Sequence, residues 1–228
     1  MGRSRRSIHG VTYLEVITAI GILAIVTAAG ARIAGECQNI WRDQRDMMDA
    51  NRDLVTASRA VSHDLIGAMR GAAGFQGVTG KMVLEDIMSF PVALSAGEKK
   101  TEVDADSVRF ATTEARDAQA NPAGVIVEYA VAKDKDGKLR GLERRAAPLG
   151  EPARAVSSLV APRVAELKLE YLARAGGEEK WVGAWSASQG LPAAVRVTLG
   201  VWVGGVKGVH VQRLSTVVAI REGTRVTL

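Results

Sequence analysis

Residues 11–31 are apolar at almost every position, and the single formal charge among those 21 residues is Glu15. At about 1.5 Å of rise per residue a helix of that length reaches roughly 30 Å, the thickness of a bilayer's hydrocarbon core. The pattern then changes without a break. Ile33, Cys37, Ile40, Met47, Leu54, Val61, Leu65 and Ala68 recur three, four or seven residues apart, on the three- and four-residue line of one helix face, with Trp41, Met48, Val55 and Met69 widening the stripe. This is a helical period. Gln44, Asn51 and Ser58 fall on the same line and interrupt it, so the spacing argues for a helix packed on a sheet or on partner helices rather than an autonomous coiled coil. No proline occurs between residues 11 and 90, and Gly71 and Gly74 supply the first stop. One long helix is therefore predicted from about Val11 to Arg70, with Gly21, Gly30 and Gly35 as soft points.

Past the helix the period shortens. Residues 71–106 form a less regular connection, with a short apolar run from Val83 to Leu94. Its glycines do not make a phosphate-binding loop, since no strand precedes them and no GK[ST] closes the pattern. From Asp106 onward apolar residues alternate with polar ones: Val108 and Phe110, then Val125, Val127, Tyr129 and Val131. Asp134, Lys135, Asp136 and Gly137 then turn the chain before a second strand, which predicts a hairpin. Leu167, Leu169 and Tyr171 alternate with outward-facing Glu166, Lys168 and Glu170. Val195, Val197, Leu199, Val201 and Val203 repeat the pattern, Gly204 and Gly205 break it, and Val209 to Arg221 is a return strand. Trp181, Trp185 and Trp202 are expected to cover the core of this antiparallel sheet or a partner-facing edge.

The composition is balanced, and about 200 residues beyond the apolar segment suffice for one globular domain with its own core. The formal charge is +5, but without Arg3, Arg5 and Arg6 it falls to +2, so the basic balance does not argue for nucleic-acid binding. Cys37 is the only cysteine, which excludes an internal disulfide; its place on the apolar stripe predicts a small buried residue.

Arg3, Arg5 and Arg6 lie just before the apolar segment with no acid among them, which holds that end in the cytoplasm and sends the rest across the membrane. An ordinary secretory signal has a shorter apolar core and a small-residue cleavage site. Ala29, Gly30 and Ala31 imitate such a site, but the spanning length and Glu15 inside the core count against it. A carboxylate there costs on the order of 2.5 to 3.5 kcal/mol on insertion scales and persists only with a partner. No base within the predicted helix can reach it; an amine on Val11, freed by cutting after Gly10 and contributed by a neighbouring subunit, can.

Gly10, Val11, Thr12, Tyr13, Leu14 and Glu15 resemble the processing site of type IV prepilins and pseudopilins. The resemblance implies that a prepilin peptidase removes a basic leader after Gly10, that the amine of Val11 is methylated, and that Glu15 helps subunits enter a filament. Val11 departs from the phenylalanine usual at that position. The likeness extends to residues 51–70, where His63, Asp64 and Leu65 stand near the end of the long helix, and to Val164, Leu167, Tyr171, Trp181, Trp185 and residues 191–199. These segments resemble the J family of minor pseudopilins of type II secretion.

The fold expected is α+β and pilin-like. It comprises a leader (1–10), a transmembrane helix (11–32), a periplasmic continuation of that helix (33–70) and an antiparallel β domain (71–228). The implied partners are minor pseudopilins of the I and K types, the major pseudopilin, the prepilin peptidase and the inner-membrane assembly platform. The implied place is the bacterial inner membrane, crossed once with the N-terminus cytoplasmic, with incorporation into a pseudopilus. No cofactor, metal or nucleic acid is expected. A minor type IV pilin is the neighbouring alternative. A membrane-anchored periplasmic enzyme is the alternative of another class, but Ser62, His63 and Asp64 occupy consecutive helix positions about 100° apart and do not converge as a triad. No catalytic residue is assigned, and the two aspartates near residue 135 are read as turn formers rather than calcium ligands.

Overall fold

The computed structural model describes residues 12–68, 74–84, 101–113, 124–175, 178–205 and 208–220. Gly10 and Val11 lie outside the described residues, as do Met69, Arg70 and most of the run from Val83 to Leu94. The architecture is α+β: one long apolar N-terminal helix followed by antiparallel sheets.

The helix, α1, runs Tyr13–Ile66 over 54 residues, and its N-terminal part is long and apolar enough to cross a membrane. By internal contacts the chain forms two units that divide inside α1, between Arg45 and Asp46. In the first unit Ile20, Leu23, Ile25 and Val26 are all more than half exposed. Cys37 is exposed too, which corrects the burial expected from its stripe position. The apolar period persists here, but a period reports amphipathicity and does not supply a surface to cover it.

In the second unit the stripe is covered. Ala50, Leu54, Ala57, Ala60, Val61 and Leu65 are buried, and alanines at three of these six positions leave room for a sheet to approach. The helix ends at Ile66 instead of near Arg70 because the chain is captured there: Thr113 N–H donates to the carbonyl of Gly67 at 3.1 Å, and Ala68 bridges Thr112. The two polar residues that interrupt the stripe here have partners on the C-terminal strand. Gln212 donates to Asn51 at 2.7 Å, and the Ser58 and Thr216 hydroxyls share a 3.1 Å hydrogen bond.

A five-stranded sheet is ordered β1 (Gln76–Val78), β4 (Ser107–Thr112), β5 (Val125–Lys133), β6 (Leu139–Pro148), β7 (Val156–Ala161). A four-stranded sheet is ordered β11 (Gly208–Ala219), β10 (Ala194–Gly205), β8 (Val164–Ala175), β9 (Glu178–Val182). β2 (Lys81–Leu84) and β3 (Thr101–Asp104) pair as a ribbon. The alternation read from the sequence locates these strands well: Val108, Phe110, Val127, Tyr129, Leu167, Leu169, Tyr171, Val195, Val197 and Leu199 are buried in one core with Leu54, Val61 and Leu65 of α1. The predicted hairpin is β5–β6. In its turn Asp134 Oδ1 accepts the N–H groups of Asp136 at 2.9 Å and Lys138 at 2.8 Å, and Gly137 takes φ +78°, so this aspartate shapes the turn.

One side chain departs from the alternation's forecast. Glu166 faces outward on β8 yet is buried, because it stands opposite Gly200 and under Arg213, whose Nε lies 2.9 Å from its carboxylate. Of the three tryptophans, Trp185 and Trp202 are buried, whereas Trp181 is half-buried beneath the Arg196 guanidinium, 4.1 Å from its ring centroid.

Candidate functional site

Thr12 and Glu15 open α1 as a reciprocal cap. Thr12 N–H donates to Glu15 Oε2 at 2.9 Å, the Thr12 hydroxyl lies 3.2 Å from the same oxygen, and Glu15 N–H approaches Thr12 Oγ1 at 3.4 Å. A T-x-x-E sequence before an apolar run makes this pairing because the first helical N–H groups have no partner within the helix. Glu15 thus has a bonding partner within its own chain, three residues upstream. The reading of Glu15 as an acid awaiting a foreign charge overlooked this cap, although the signal was present in the spacing of Thr12 and Glu15.

At the other end of α1 lies a second acid. Asp64 comes three residues after Val61 and four before Ala68, so helical geometry places it on the buried stripe, and it has no exposed surface. Burying a carboxylate is tolerable only with donors, and two converge on Oδ2: the Tyr129 hydroxyl from β5 at 2.7 Å and Arg144 Nε from β6 at 2.7 Å. Arg144 is itself buried. Burial, and then the negative charge of Asp64, push the Tyr129 phenol well above its ordinary range, so it stays protonated and donates. One helix and two strands are tied through a single oxygen. His63, half exposed, brings Nδ1 to 3.6 Å from Asp64 Oδ1, longer than a hydrogen bond. The resemblance put Asp64 at this point of the chain; Tyr129 and Arg144 as its partners escaped the sequence reading, because which strand residues face a helix depends on sheet order.

Asp106 performs a similar role between strands. Its Oδ1 accepts from Gly80 N–H at 2.9 Å and its Oδ2 from Leu169 N–H at 2.7 Å, joining the β1–β2 connection to β8. Burial raises its carboxyl above the ordinary value, and these two backbone donors oppose the rise. Within the second unit Asp64 and Asp106 serve separate junctions, Asp64 between α1 and β5–β6 and Asp106 between the β1–β2 connection and β8. No protein-family model matches the chain, and no curated protein matches it.

Proposed function

We propose that this chain is a minor pseudopilin of the J type, cleaved after Gly10 and assembled with I- and K-type subunits into the tip of a type II secretion pseudopilus. The observation that carries the reading is the processing-site sequence from Gly10 to Glu15 leading directly into one uninterrupted helix of 54 residues. The same helix has an exposed apolar first section and ends in the core of an antiparallel domain.

The Thr12–Glu15 cap suggests how assembly is timed. Before cleavage the Glu15 carboxylate is held by the uncharged donors of Thr12; afterwards the amine of Val11 on an adjacent subunit offers a donor of opposite charge, which adds ion-pair attraction to the hydrogen bond. Gly21, Gly30 and Gly35 have open space where a side chain would stand, leaving flat places at which neighbouring membrane helices approach closely. Beyond the membrane-length segment Ile33, Ile40, Trp41 and Met48 remain 62%, 56%, 72% and 71% exposed, an apolar stripe of the kind that partner helices cover. The activity is binding and assembly in the inner membrane, with the β domain on the periplasmic side.

Replacing Glu15 with alanine tests the reading. The variant is expected to insert and be cleaved as the wild type is, while its recovery with the other minor subunits falls. Recovery at wild-type levels contradicts the assigned role. Deletion of the protein should block export of folded substrates and leave type IV pili intact; the reverse pattern would make it a minor pilin.

A further inference from the structure

Positions 109, 128 and 145 stand side by side across three strands: Arg109 opposes Glu128, and Glu128 opposes Arg145. Val108, Phe110, Val127 and Tyr129 point into the core, so by strand alternation this charged row occupies the opposite face of the sheet. Directly opposed positions hold their Cβ atoms about 4.5–5.5 Å apart, near enough for Glu128 to pair with either arginine. Among the described residues it pairs with neither, and Arg109 and Arg145 form no ion pair or side-chain hydrogen bond. Other arginines of the domain behave differently: Arg144, Arg154, Arg174, Arg196 and Arg213 each hold a carboxylate at 2.7–2.9 Å.

The two uncommitted guanidiniums line a cleft of about 210 Å³ together with Glu128, Ile126, Ala147 and the turn that starts at Pro152. Arg154 on that turn is engaged by Glu151 at 2.8 Å and adds no free charge. We infer that this cleft docks a single carboxylate side chain, an aspartate or glutamate, from a partner polypeptide.

Three features define that occupant. Two guanidiniums present donor forks matched to a carboxylate. Glu128 between them leaves a net charge of +1 on the row, which suits one negative charge and disfavours a dianion such as a phosphate monoester. The volume falls below the roughly 300–1,000 Å³ of pockets that enclose a whole small molecule, whereas the apolar surface of Ile126, Ala147 and Pro152 suits the methylenes of one side chain. The inference needs only an acidic surface on the partner and does not depend on the filament reading.

The test uses the full chain in detergent micelles, with nitrogen-labelled arginine and NMR detection of the Nε–Hε groups. Titration with acetyl-Ala-Glu-Ala-amide at constant ionic strength should shift the Arg109 and Arg145 signals saturably, while Arg196, bound to Glu170, stays in place. The glutamine version of the peptide should shift neither. Arg109→Gln should weaken binding roughly tenfold, the loss expected for one charge-assisted hydrogen bond. Glu128→Gln should tighten it, a gain that no folding defect imitates. Absence of a saturable shift, an equal response at Arg196, or weaker binding by Glu128→Gln overturns the site. Acetate binding as tightly as the glutamate peptide overturns the assignment to a polypeptide side chain.

Discussion

Removing the Asp64 carboxylate with an alanine substitution would take the carboxylate from the buried Arg144 guanidinium, whose side chain is 7% exposed, and the acceptor from the Tyr129 hydroxyl. Breaking a buried ion pair from one side costs about 3–5 kcal/mol, so Asp64→Ala should lower the unfolding free energy of the domain by that order in chemical denaturation. Tyr129→Phe removes one donor and keeps the ring; a loss of about 1–2 kcal/mol is expected. Equal losses from the two variants would contradict the assignment of Asp64 as the shared acceptor. Asp106 provides a pH readout. Its folded carboxyl lies above the ordinary 3.8 because burial outweighs its backbone donors, so the folded chain holds the proton more tightly than the unfolded chain. The associated stability is full below the unfolded value and is lost as pH rises through the folded value. The stability of the wild type relative to Asp106→Asn should therefore decline as pH is raised from below 3.8 towards neutrality; a difference that is flat with pH contradicts this account. At this scale the sequence carries the presence of an acid on an apolar stripe, as at Asp64, but not the donors that make it tolerable.

Along α1 the apolar period is nearly uniform, and its two sections have different surroundings. Leu54→Ala in the covered section removes a side chain that is 2% exposed and should cost about 2–5 kcal/mol of domain stability. Trp41→Ala in the exposed section should leave the unfolding transition of the isolated chain unchanged and weaken recovery of partner subunits. A drop in stability from Trp41→Ala would show that the exposed stripe packs within the chain. The helix itself was legible from spacing and the lack of proline, and its early stop at Ile66 was not. That stop depends on the backbone of Gly67 and Ala68 meeting β4, an encounter between residues far apart in sequence. Cys37 shows the same limit from the other side, because position on a stripe does not reveal whether anything covers it.

Over the whole chain, the change from a period near 3.6 to a period of two marked the passage from helix to sheet, and most of the core followed from it. Sheet order did not. β8 through β11 assemble as β11–β10–β8–β9, which alternation cannot distinguish from other antiparallel arrangements. Glu166 was forecast at a solvent-facing position because its cover, Arg213, comes from a strand two places away in that order. The proposed function rests mainly on the first residues of the chain, where sequence and helix start coincide, and its decisive test lies there. The mass of the N-terminal peptide should be measured from the protein in its native membrane, with and without the prepilin peptidase. The account predicts a methylated Val11 terminus that is lost when the peptidase is absent; an intact Met1, or a terminus near Arg32, would contradict it.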